Sequence, residues 1–151
     1  MSRDPHPKAP GTPVGITEPM ITTLVHTFYA RVRADPLLGP IFSRAINDWD
    51  AHLAKLCAFW SSVTLMTGRY KGTPMKAHAD LAEITPAHFE RWLALFQATA
   101  VKTCPADAAA IFVDRANRIA ESLLLGIALH RGEGIVPRVK RAAPPPVDCE
   151  A

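Results

Sequence analysis

Long apolar runs are missing from this chain of 151 residues. No stretch reaches the roughly 20 apolar residues needed to span a bilayer. The opening MSRDPHPKAPGTPVG has no apolar core of the kind a secretory leader carries. The expectation is a cytoplasmic protein with no membrane partner. Cysteine is scarce, and Cys57, Cys104 and Cys149 are odd in number and far apart. They suit free thiols in a reducing compartment better than a disulfide framework. There is no G-x-G-x-x-G or P-loop for a nucleotide, no H-E-x-x-H or close Cys/His cluster for zinc, and no serine in a nucleophile elbow. No carboxylate pair lies on an apolar face, and Asp48 with Asp50 reads as the acidic first turn of a helix. An excess of one charge is also lacking. The balance of 17 Lys and Arg against 14 Asp and Glu, a net +3, argues against a nucleic-acid partner. Arg138, Lys140 and Arg141 read as a solvated tail.

The 48% apolar content is ample for one packed core. The 14 prolines are unevenly placed, with Pro5, Pro7, Pro10, Pro13 and Pro19 at one end and Pro137, Pro144, Pro145 and Pro146 at the other. The expected organisation is a disordered tail over 1–15, a folded unit over 16–131 and a second disordered tail over 132–151. Removing residues 1–14 and 136–151 is then expected to leave thermal stability nearly unchanged.

Each remaining proline punctuates a helix. Ile21, Leu24, Val25, Phe28 and Val32 recur at helical spacing after a Thr17 cap, and Asp35-Pro36 ends them. Leu37 to Phe42 reads as a turn or 3₁₀ piece. A helix from about Asp48 carries His52, Leu56, Phe59, Val63 and Met66 on one stripe, with Gly68 as its end. After the Arg69–Thr73 loop, Pro74 can open a short helix carrying His78. Thr85-Pro86 starts a helix with Phe89, Trp92, Leu93 and Phe96 on one face. The last helix, about 106–130, buries Ile111, Phe112, Ile119 and Leu123. No stretch alternates as a strand does, so the class is all-α with five or six helices.

Three features stand out from a plain helical core. His52 is an ionisable ring on an apolar stripe. Tyr29 borders the first stripe, with its hydroxyl inward. His78 follows a loop and can face the core. The plain readings weigh against them. A lone inward histidine is more often a satisfied core residue, a buried tyrosine usually bonds a nearby carbonyl, and Trp92 is normally core filler. His6, His26, His88 and His130 read as surface.

Four blocks occur in order: FYARVRADPLLGPIF, WDAHLAKLCAFWSSV, TGRYKGTPMKAH and HFERWLALF. With their spacing, over about residues 17–130, the chain resembles the group III truncated haemoglobins. The resemblance implies a truncated globin fold, a two-over-two helical sandwich around haem b. The haem is held non-covalently, since C-x-x-C-H is absent. It further implies that His78 is the iron ligand and that Phe42 stacks on the haem. Tyr29, His52 and Trp92 would lie on the distal side, with Leu56 one turn beyond His52. Phe42, Leu56, Phe59 and Phe96 would form apolar walls, and Arg69, Tyr70 and Lys71 would be candidates for the propionates.

On that resemblance the function is binding of O2, NO or CO with high retention of O2, since Tyr29 and Trp92 can both donate hydrogen bonds to a polarised ligand. Whether the chain is an enzyme stays open. A nitric oxide dioxygenase or peroxidase would need a separate reductase, because no flavin or nicotinamide site is present. The alternative of another class is a haem-free helical interaction module.

Overall fold

The computed structural model describes residues 4–71 and 84–130. Among these residues the protein is all-helical: α1 (Glu18–Ala34), α2 (Gly39–Ala45), α3 (Trp49–Leu65), α4 (Pro86–Thr103) and α5 (Ala106–His130). The helix expected to follow Pro74, His78 itself and the 132–151 tail lie outside the described residues.

Local chemistry sets the helix starts. Thr17 Oγ1 accepts the Met20 amide at 3.3 Å, and Asp48 Oδ1 accepts the Ala51 amide at 3.1 Å. Each side chain satisfies one of the amides that a first turn leaves unpaired. At α4 the Thr85 amide donates to His88 Nδ1 at 3.0 Å, half of a reciprocal capping box, and Pro86 follows in the first turn.

Two boundaries differ from the sequence reading. The Leu37–Phe42 segment runs into a true α-helix, because Pro40 at its start needs no amide partner. Helix α3 stops at Leu65, where Met66 turns left-handed (φ 55°) and is 52% exposed. Met66 therefore leaves the inner stripe on which the sequence placed it.

The helices pair as two layers. Helix α1 packs on α3, α4 packs on α5, and the layers meet through α1 with α4 and α3 with α5. This is the two-over-two sandwich. Ala100 on α4 and Ala108, Ala109, Ala116 and Ala120 on α5 are fully or nearly fully buried. Their small side chains let the two longest helices approach closely. Trp60, Phe28, Phe96 and Phe112 fill the centre, each contributing on the order of 2–3 kcal/mol by burial. Cys57 and Cys104 are free, and burial pushes both thiols up. No helix among the described residues is long and apolar enough to cross a membrane.

Residues 4–15 are not a detached tail. The His6 amide donates to Leu65 O and the Gly11 amide to Thr64 O, both at 2.8 Å. These are carbonyls of the last turn of α3, which a helix leaves without internal partners. Ala9 is buried, and a Cβ on Gly11 would meet Thr64 O at 2.8 Å. The prolines that suggested disorder also stiffen the unfolded chain, which lowers the entropic cost of laying this strap down. Deleting residues 1–14 should therefore lower the thermal midpoint by about 3–8 °C, the effect of roughly 1 kcal/mol in a domain of this size. A melting curve that coincides with that of the full chain would contradict the strap.

Candidate functional site

A cavity of about 520 Å³ lies where α1, α2, α3, α4 and α5 converge. Close-packed interiors leave few voids larger than a water molecule, and this volume falls in the ligand-pocket range of roughly 300–1,000 Å³. Its walls are Ile41 and Phe42 from α2, Leu56, Phe59 and Trp60 from α3, Phe89 from α4, and Ile119 and Leu123 from α5. Polar groups enter at few points: Tyr29, His52, Lys55, Tyr70, Lys71, His88 and Trp92. Broad apolar walls with cationic and hydroxyl groups at the margin suit a large, mostly apolar molecule with an anionic edge.

Tyr29 is deeply held on that wall, only 4% exposed. Burial pushes its phenol up to about 12, partly offset by the hydrogen bond with Trp92. An indole N–H can only donate, so in this pair Trp92 donates and the Tyr29 oxygen accepts. Tyr29 consequently keeps its own proton at any physiological pH and has it available to donate.

The two side chains are fixed from behind. Phe28, 1% exposed, stands edge-on to Tyr29, Trp92 and Phe96 at centroid distances of 4.7, 5.3 and 5.1 Å. Trp92 stacks on Phe96 at 5.4 Å, and Phe96 on Trp60 at 5.1 Å.

Of the residues expected from the sequence, Tyr29, Phe42, His52, Leu56, Phe59, Tyr70, Lys71 and Trp92 line the cavity together. Two do not. Phe96 sits one layer back, supporting Trp92 rather than forming the wall. Arg69 is turned to Glu18, with Nε 3.4 Å from its carboxylate. The same carboxylate accepts from the buried Ser61 hydroxyl at 2.6 Å. His78 lies outside the described residues.

Sequence reasoning missed Lys55 and Ile84 and placed His88 at the surface, whereas all three line the cavity. Spacing carried a signal for two of them. His88 precedes Trp92 by four residues and Lys55 follows His52 by three, which places each on its neighbour's helix face.

A smaller hollow of about 210 Å³ adjoins the cavity at the α2–α3 corner. The two share Ala45, Ile46, His52 and Lys55, so His52 borders both.

The α1–α2 corner is pinned to α4 by Asp35, whose side chain is 2% exposed. Its Oδ1 receives Arg91 Nε at 2.7 Å and Nη2 at 2.6 Å. Its Oδ2 receives the Leu37 and Leu38 amides at 3.0 and 2.9 Å. Burial alone would raise this carboxyl. The Arg91 hydrogen bond, the two amides and the Arg91 charge outweigh it and hold the group below the ordinary carboxylate range.

A folded value below the unfolded one means that the stabilisation is present above the unfolded value and is lost as pH falls through the folded one. Asp35→Asn should destabilise by roughly 2–3 kcal/mol at neutral pH in urea unfolding. The gap from wild type should close as pH falls well below about 4. A gap independent of pH would assign the loss to packing instead.

Comparison with known proteins places these features in a family. The model of the bacterial-like globin family matches residues 13–123. The group 3 truncated hemoglobin ctb of Campylobacter jejuni is 42% identical over 86 residues, covering 54% of this chain and 68% of that protein. The crystal structure of a group III truncated hemoglobin from Campylobacter jejuni superposes with a TM-score of 0.69 at 36% identity. That match covers 72% of this chain and 89% of the other.

Proposed function

The chain belongs to the bacterial-like globin family, and from that membership we propose that it holds haem b non-covalently in the 520 Å³ cavity and binds O2 and other diatomic gases there. The observation that carries the reading is the buried Tyr29 hydroxyl, proton retained, on the wall of an otherwise apolar cavity. Haem, when bound, would supply an iron able to take up a diatomic gas. His78 is the proposed iron ligand. Phe42, Leu56 and Phe59 exclude water from the ring, and Tyr70 and Lys71 are suited to meet its carboxylates at the margin.

Tyr29 donates to a polarised gas molecule, and Trp92 orients Tyr29 by donating to its oxygen. His52 borders both hollows and opens or closes the passage between them. Donors of this kind favour O2, which becomes polar on binding, over CO. Long retention of O2 suits scavenging, sensing or redox chemistry better than transport. Nitric oxide dioxygenation or peroxide reduction is the second reading, favoured by the same donor pair, and it calls for a separate reductase.

A visible absorption spectrum of the purified protein tests the proposal. An intense Soret band that shifts when CO is added to the reduced protein is expected. A protein that neither carries nor takes up haem would instead be a helical interaction module.

A further inference from the structure

Four side chains meet at the α1–α3 junction. Tyr29 and Arg33 lie one turn apart on α1, and Trp49 and His52 lie one turn apart on α3. The Trp49 ring meets His52 edge to face at 5.7 Å, with an interplanar angle of 89°. It meets Tyr29 at 6.2 Å. His52 in turn stands edge-on to Tyr29 at 6.1 Å. On Trp49 the Arg33 guanidinium carbon rests 4.5 Å from the ring centroid, within the range of a cation–π contact.

Trp49 lines neither hollow, whereas His52 lines both. The indole is therefore placed to act on the imidazole rather than on a ligand. An edge-to-face contact restricts the rotation of the smaller ring, and the guanidinium holds the plane of the larger one.

We propose that Trp49, clamped by Arg33, is a positioning residue that sets how His52 stands between the cavity and the outer hollow, and so sets the rate at which gas enters. The inference rests on reading His52 as the gate.

The test uses the haem-loaded full chain, with CO recombination after flash photolysis as the rate and ring-to-ring nuclear Overhauser contacts in the CO-saturated protein as the structural readout. In wild type, contacts between Trp49 and His52 ring protons are expected. Trp49→Leu should move CO association by about threefold or more toward the His52→Ala value, and should have no effect in the His52→Ala background. Arg33→Gln, at an exposed position that does not endanger folding, should shift the rate in the same direction by about two- to fivefold, as expected for loss of an exposed cation–π contact. Its Trp49–His52 contacts should weaken, and Arg33→Lys should restore most of both.

If His52→Ala changes the rate but Trp49→Leu and Arg33→Gln do not, the inference fails and the gate stands. The inference also fails if Trp49→Leu acts equally with and without His52. An unchanged rate in His52→Ala removes the gate itself, and the inference with it.

Discussion

His78→Ala should yield a folded protein that has lost most of its haem, whereas His88→Ala should keep it. The pair of variants matters because two histidines among the described residues, His52 and His88, already border the cavity. Neither is suited to be the permanent ligand. His88 Nδ1 accepts the Thr85 amide at 3.0 Å and lies 2.9 Å from the Thr85 hydroxyl, which leaves the proton of the neutral ring on Nε2, the nitrogen that would have to bind the iron. His52 stands beside Tyr29, on the side proposed for the gas. A globin haem hangs on one strong bond to a neutral imidazole, and the apolar walls add non-directional attachment only. Loss of that bond should raise haem dissociation by orders of magnitude, read as transfer to a high-affinity acceptor protein. Added imidazole should restore part of the Soret band in His78→Ala. If His88→Ala loses haem and His78→Ala keeps an unchanged spectrum, the ligand is His88 and the assignment fails.

Tyr29→Phe should speed O2 release by about ten- to a hundredfold, equivalent to roughly 1.4–2.8 kcal/mol, while CO release changes little. The substitution keeps the ring and its edge contacts with Phe28, Phe42 and His52, so it isolates the hydroxyl. Because Trp92 lies within hydrogen-bonding reach of the Tyr29 oxygen, the two are not independent donors. Removing the hydroxyl releases the indole proton, and its turn toward the gas offsets part of the loss. Trp92→Phe should consequently act mainly through Tyr29, with a smaller effect alone than in the Tyr29→Phe background. Stopped-flow displacement of both gases reads all of these rates. An equal response of O2 and CO would make the effect steric and end the hydrogen-bond account.

Much of this arrangement is legible in the sequence alone. Tyr29 follows Val25 by one turn, so a helix that buries Val25 carries the phenol inward. His52 and Leu56 share a face by the same rule, as do Phe89, Trp92 and Phe96. Thr17, Asp48 and Thr85-Pro86 mark helix starts through contacts that span three residues. All of these are short-range facts, and local sequence carries them.

Depth and partnership are different. Periodicity put Phe96 and Trp92 on one face, but only the packing of α1 and α3 against α4 made Trp92 the wall and Phe96 its support. Arg69 looked like an anchor beside Tyr70 and Lys71 until Glu18, 51 positions earlier, claimed it. The proline-rich opening looked unfoldable because the carbonyls that order it belong to Thr64 and Leu65.

The sequence by itself determined an all-helical chain, its helix starts, and which side chains share each inward face, because these follow from backbone geometry within a turn or two. Only the tertiary structure decided that a 520 Å³ space stays open, that Trp92 donates to Tyr29, that Asp35 closes on Arg91, and that Trp49 and Arg33 stand behind His52. Each of these depends on groups from separate helices meeting away from water. The strength of a hydrogen bond or charge contact is set by that burial, which no local stretch of sequence encodes.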